Sequence, residues 1–331
     1  MTFKTLPANT PPLALPELFI SQEDQHDIDV LMQMHAYCRP DGSKAEAAFI
    51  KRYIAPTGAH ADAMGNLILR IGTAPMLFSC HTDTVHMQDG KQATVFADWQ
   101  LALAANTESN CLGADCTAGV WLMLQMIAAR IEGLYIFHAA EECGGLGSSH
   151  IASETPDLLA GIRHAIAFDR RGTSSVITRQ AGAVCCSDTF ATALCKLLPH
   201  YKPDHTGIFT DTANYVGLIP ECTNISVGYV NEHTSGELLD VSHLLNLRDA
   251  LLCADFASLP IERQCDAPRI HNLYRDNWDM GYPARSGLAS HAGDIVDIIR
   301  RYPEHIAEML ESMGYDVDSL IKEMDMLHAG L

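Results

Sequence analysis

Two adjacent carboxylates, Glu141 and Glu142, close the apolar run in Leu134-Tyr-Ile-Phe-His-Ala-Ala-Glu-Glu-Cys-Gly-Gly-Leu-Gly147. Neighbouring side chains on a loop at a strand end diverge, so one acid can hold a cation while the other faces substrate, which divides the pair into a metal ligand and a general base. For an isolated pair the plain alternative is a solvated acidic turn. Here other acids and imidazoles close neighbouring elements: His81 and Asp83 after the run 76–80, Asp115 ahead of a helical repeat, Asp169 after 164–168, and His233 beyond 223–229. Mixed imidazole and carboxylate donors suit Zn2+, with Mn2+ and Co2+ as first-row alternatives. His81, Asp83, Asp115, Glu141, Glu142, Asp169 and His233 are too many for one tetrahedral ion. Two ions about 3.5–4 Å apart, sharing one carboxylate and a water, would use them.

Something must bring these residues together. Short apolar runs bounded by Gly or Pro (76–80, 134–140, 164–168) read as buried strands of an α/β sheet, whose carboxyl ends collect ligands. Helical spacing predicts helices over 28–37, 120–128 and 241–257, and Ser43 with Glu46 forms an SxxE capping box ahead of a helix reaching residue 54. Strands are expected over 62–71 and 223–229, a β excursion over 94–103, and further alternation through 174–178, 185–198 and 212–218. This pattern predicts the α/β class: a three-layer sandwich about a central mixed, mostly parallel sheet. Residues 1–20 carry Pro7, Pro11, Pro12 and Pro16 and read as an irregular lead-in. Beyond Pro260 the chain turns polar and irregular, then amphipathic over 295–331. The expected division is a catalytic domain over 1–260 and a C-terminal helical extension over 261–331.

The 331 residues are 47 % hydrophobic, and 22 basic side chains face 41 acidic ones for a net charge of −19. Such a surface repels phosphate backbones and anionic membranes, which argues against nucleic acid and membrane partners. Eleven cysteines without CxxC spacing fit a reducing compartment. The first sixteen residues lack the continuous apolar core of a signal peptide or a span, so a cytoplasmic location is expected. The sequence does not specify an oligomeric state.

Seven short pieces resemble a known clan, the co-catalytic dizinc aminopeptidases, carboxypeptidases and amidohydrolases that include peptidase T, aminoacylase-like deacylases and glutamyl aminopeptidases. They are DAMGNL (62–67), HTDTV (81–85), GADCTAG (113–119), AAEECGGLGS (139–148), FDRRGT (168–173), TDTANY (210–215) and NEHTS (231–235). Each alone is weak, but they occur in the clan's order across residues 28–257. The resemblance implies that His81 and Asp169 hold one zinc, that Glu142 and His233 hold the other, and that Asp115 bridges them. It implies further that Glu141 is the general base and that Asp83 orients His81. The expected reaction is amide hydrolysis in a small peptide, aminopeptidase-type. The alternatives are deacylation of an N-acyl amino acid at the same site, a noncatalytic metal-binding relative, or a one-zinc cyclotransferase-type reaction.

Two departures from the clan matter. Many relatives have Asp where this chain has Cys116, at a peptide bond often cis in the clan, and the thiol is expected to pack or support the site without acting as a third ligand. Many also insert a dimerisation or lid domain between the third acid and the last His; the 64 residues from Asp169 to His233 leave no room for one. The chain thus resembles the lidless branch, like bacterial and phage-associated zinc aminopeptidases. Arg170 and Arg171 are then candidates to grip a substrate carboxylate, with pairing to surface acids as the alternative. His205, Asp211 and Tyr215 are candidates to line the pocket or support His233. His86, His138, His150, His164, His200 and His243 read as core or surface residues, and Met309, Met313, Met324 and Met326 as helix packing.

Overall fold

The computed structural model describes residues 21–180 and 182–265. The lead-in over 1–20 and the amphipathic segments and methionines over 295–331 lie outside them. The described strands that matter to the site are β1 (His60–Ala61), β2 (Leu67–Ile71), β3 (Met76–His81), β4 (Thr94–Ala97), β5 (Gln100–Leu103), β6 (Gly133–His138), β7 (His164–Arg170), β8 (Ser175–Ile177), β9 (Lys202–Asp204), β10 (Glu221–Ser226), β11 (Tyr229–Val230) and β12 (Leu238–Asp240). The helices are α1 (Gln22–His35), α2 (Lys44–Phe49), α3 (Ala114–Ala128), α4 (Leu146–Glu154), α5 (Asp188–Leu197) and α6 (Val241–Cys253).

Every residue of β3, β6 and β10 is buried. Strands without polar alternation are covered on both faces, as in the middle of a layered α/β domain. They belong to an eight-stranded sheet ordered β9-β8-β10-β7-β3-β6-β2-β1. Its four central strands, β10, β7, β3 and β6, run parallel, while β2 and β8 flank them antiparallel. Helices α1, α3 and α6 pack together on one face, and α4 packs on the 3-10 turn over Asp211–Tyr215. The sandwich inferred from the alternation is therefore the architecture of the described residues, and no separate domain interrupts the described chain between Asp169 and His233.

Several boundaries moved. Helix α1 starts at Gln22, ahead of the expected 28, because the Ser21 side chain accepts a hydrogen bond from Asp24 N and caps it. The segment 212–218 is not a strand or an α-helix but a 3-10 turn over Asp211–Tyr215. The expected strand 223–229 stops at Ser226; Tyr229–Val230 leaves the large sheet and joins a four-stranded antiparallel sheet, β11-β12-β5-β4. The expected β excursion over 94–103 forms the outer hairpin of that second sheet. Half of the capping box holds: Ser43 Oγ accepts from Glu46 N, but Glu46 takes Gly42 N and the Thr82 hydroxyl. Past Pro260, Arg263 Nε donates to Pro220 O (2.6 Å) and the backbone N–H groups of Glu262 and Arg263 donate to Glu221. All eleven cysteines are free thiols.

Close packing of α3 on the sheet brings the Asp115 turn to the strand ends. A Cβ added to Gly119 would stand 2.1 Å from Phe168 O and 2.6 Å from Cys116 Sγ, and neither neighbour is the far end of a flexible side chain. Gly119→Ala is therefore expected to force α3 off the sheet and to destabilise the protein by at least about 1–3 kcal/mol. Chemical denaturation measures it, and an unchanged midpoint would contradict the close approach.

Burial also sets an acid response. His35 is fully buried, its Nδ1 is 2.8 Å from Leu31 O, and desolvation lowers its pKa to about 3 despite that hydrogen bond. In the unfolded chain the same imidazole titrates near 6.5. Below that pH the unfolded state binds a proton that the folded state refuses, so the stability tied to neutral His35 is complete above about 6.5 and lost as pH falls toward 3. The stability difference between wild type and His35→Asn should narrow by about 1.4 kcal/mol for each pH unit from 6 to 4. A difference independent of pH would refute it.

Candidate metal centre

The parallel run of β6, β3 and β7 sets three carboxyl ends side by side, with His81 in register with His138. His81 ends β3, Asp169 lies in the last part of β7, and Glu141 and Glu142 follow β6 on a turn entered through Ala140, whose φ is 55°. Asp115 lies in the first turn of α3, and His233 sits in the hairpin loop between β11 and β12 with φ 66°. The Asp115–Cys116 peptide bond is cis.

Five side chains distant in sequence meet there. His81 Nε2 lies 3.0 Å from Asp115 Oδ1 and 3.3 Å from Asp169 Oδ1. His233 Nε2 lies 3.4 Å from Asp115 Oδ2 and 3.2 Å from Glu142 Oε1. Asp115 thus offers one oxygen to each of two groups. Potential ligand atoms of His81, Asp115, Cys116 and Asp169 lie within 4.8 Å of one another, as do those of Asp115, Glu142 and His233, and those of His81, Glu141 and Glu142. His81 is 1 % exposed and His233 43 %, so the cleft opens on the His233 side.

Other residues hold the donors in place. Asp83 Oδ1 and Oδ2 accept from Glu141 N (3.1 Å) and Glu142 N (3.0 Å). His81 Nδ1 is nearer the Asp83 carbonyl (3.1 Å) than its carboxylate (3.4 Å). The Asp83 carboxylate therefore grips the glutamate turn more directly than the imidazole. Thr210 Oγ1 donates to Asp169 Oδ2 (2.6 Å), while Asn224 receives Asp169 N and donates to Asp169 O. Asn66 of the DAMGNL turn receives Ala139 N and donates to Gly147 O, bracing both ends of the glutamate loop. Glu237 accepts from the backbone at Gly113 and Asp115. Fully buried Arg39 donates to Thr82 O and Thr117 Oγ1, tying the His81 and Asp115 segments together. Asn224, Glu237 and Arg39 carried no local signal, because their partners lie tens of residues away in the chain, while Thr210 opens the TDTANY piece without its role being readable there.

Asp83, Asp115, Glu141, Glu142 and Asp169 concentrate five carboxylates around two imidazoles. Burial, Asp169 and Glu142 hold Glu141 well above the ordinary carboxylate range. Burial and the Asp115 charge lift Asp169 to about 7. Burial works to lower His233, but its approach to Asp115 and Glu142 outweighs that and raises it to about 11. Glu142 Oε1 is buried and receives no aligned hydrogen bond although His233 Nε2 is so near. Excess negative charge, imidazole nitrogens pointed at carboxylate oxygens, and an orphaned buried oxygen are a donor set that fits bound divalent metal.

The remaining candidates are placed as follows. Cys116 is fully buried and its thiol donates to Phe168 O (3.1 Å), turned to the protein behind the cluster. Asp211 is also fully buried, 3.2 Å from His138 Nδ1, and burial pushes it up to about 8; it neither lines the cleft nor reaches His233. Tyr215 is buried with its hydroxyl 2.7 Å from His138 Nε2, again away from His233. His138 is thus a core histidine in a polar network. Arg170 donates to Thr206, and Arg171 to Glu232 beside His233 (3.1 Å). His205 is exposed on the loop that follows β9.

No family model and no curated protein matches the sequence. Solved structures do resemble the fold. Aminopeptidase PepT from Bacillus cereus is 13 % identical and matches 69 % of this chain and 97 % of its own, with a TM-score of 0.57. A tripeptidase from Staphylococcus aureus is 13 % identical over 69 % and 96 %, with a TM-score of 0.54. An aminopeptidase from the archaeon Desulfurococcus kamchatkensis is 12 % identical over 70 % and 94 %, with a TM-score of 0.55. At these identities the likeness is one of fold: this chain has the α/β architecture of those peptidases. No helix among the described residues is long and apolar enough to cross a membrane.

Proposed function

We propose that this protein is a dizinc-type metallohydrolase that cleaves an amide bond in small peptides, acting as an aminopeptidase. The observation that carries the reading is Asp115, with Oδ1 toward His81 Nε2 and Oδ2 toward His233 Nε2. In this reading His81 and Asp169 hold one ion, Glu142 and His233 the other, and Asp115 both. A bound pair of Zn2+ ions, or Mn2+ or Co2+, supplies positive charge that polarises a carbonyl and acidifies a water.

The chain's own residues do the rest. Glu141, beside a proposed ligand and with its backbone held by Asp83, takes the proton of the attacking water and returns it to the leaving amine. The half-exposed His233 leaves the cleft open to a small peptide, and Arg171, 37 % exposed, is available to a substrate carboxylate if its pair with Glu232 opens. Residues 1–260 form the catalytic unit in this reading, with 261–331 as an extension.

The test is metal content together with hydrolysis of aminoacyl anilides and N-acyl amino acids, with and without chelator. Two ions per chain and chelator-sensitive release of the anilide support the reading. Turnover of N-acyl amino acids alone would replace aminopeptidase by deacylase, and metal binding without turnover of either would leave a noncatalytic relative.

A further inference from the structure

The loop that carries His233 is fastened by a carboxylate that the hydrolytic scheme does not use. Glu237 is 1 % exposed and lies four residues beyond His233. Its Oε2 accepts from Gly113 N (2.9 Å) and its Oε1 from Asp115 N (3.1 Å). Gly113 is the N-cap of α3, has φ 70°, and has no side chain with which to cap the helix. Glu237 thus supplies from another loop the acceptor that a capping Ser or Asp would supply locally. Asp83 does the same for the turn of Glu141 and Glu142. Each pair of adjoining donor segments therefore has one buried carboxylate on its backbone N–H groups.

The two proposed ions are not equally supported. His81 and Asp169 stand on adjacent central strands, whereas His233 stands on a hairpin loop with a left-handed backbone. We propose that Glu237 is a positioning residue for the second ion. By clamping the His233 loop to the turn of Asp115, it sets the separation of Asp115 Oδ2 and His233 Nε2. The inference rests on the dizinc reading and adds to it a determinant of unequal affinity.

The experiment is calorimetric titration of the apo full-length chain with Zn2+, and spectroscopic titration with Co2+, for wild type and Glu237→Gln. The glutamine keeps the shape but turns an NH2 toward a backbone N–H. The first ion should bind within about threefold of wild type and the second about 10–100-fold more weakly, the size seen when a supporting partner is removed. The visible spectrum of the second Co2+ equivalent should change with it. A pure capping role would lower the apo melting temperature and move neither affinity; that result overturns the proposal, as does equal weakening of both ions. Should Glu237→Gln not fold, Glu237→Asp, which keeps both oxygens one methylene short, is judged by the same criteria. Wild type that binds fewer than two ions would instead sink the dizinc reading itself.

Discussion

Glu141→Gln should lower kcat for amide hydrolysis by roughly 10³-fold, within the range general-base catalysis contributes, while KM and metal content change little. The proposed ligands of both ions are retained, and Glu141 N keeps its bond to Asp83 Oδ1 because only the side chain changes. What disappears is the oxygen that accepts the water's proton. Glutamine has almost the same volume, so a packing effect cannot imitate the loss. Steady-state kinetics with metal analysis of the same preparation decides the matter. A kcat within tenfold of wild type would remove Glu141 from the mechanism, and loss of metal would recast it as a ligand.

Asp115→Ala should have the other large effect, on binding rather than on the chemical step. Its two oxygens face His81 and His233 at 3.0 Å and 3.4 Å, so its removal takes a donor from both proposed ions at once. Loss of a partner that merely supports a ligand costs about 10–100-fold in metal affinity, and Asp83→Asn is expected in that range. Asp115→Ala should exceed it at both ions and leave no measurable hydrolysis. Equilibrium dialysis with metal analysis measures both variants, and circular dichroism confirms that each is folded. Weakening confined to one ion would show that Asp115 is not shared.

Much of the site was legible because its residues close elements that the sequence marks strongly. The runs before His81 and Glu141 are short, largely apolar and bounded by Pro or Gly, which suits a strand covered on both faces. Parallel packing then forces their carboxyl ends together, so local pattern sufficed to gather His81, the glutamate pair and Asp169. The pattern failed where length and partner are not local. Segment 212–218 has enough apolar residues for an element, yet it turns as a 3-10 segment because Thr210 and Asp211 are drawn toward Asp169 and His138. Asp211 and Tyr215, read as pocket residues from their neighbourhood in the chain, face His138 beneath the site.

The sequence by itself determined the class of the fold, since hydrophobic period is a property of short stretches, and its resemblance to the clan singled out His81, Asp115, Glu142, Asp169 and His233 as the proposed donors. Only the tertiary structure decided that Asp115 presents one oxygen to each imidazole, that Asp83 grips the backbone of Glu141 and Glu142, and that Glu237 reaches Gly113 and Asp115 across more than a hundred residues. Those relations are distances between segments. They exist once a second antiparallel sheet has carried the His233 loop back over the start of α3, and no stretch of neighbouring residues encodes them.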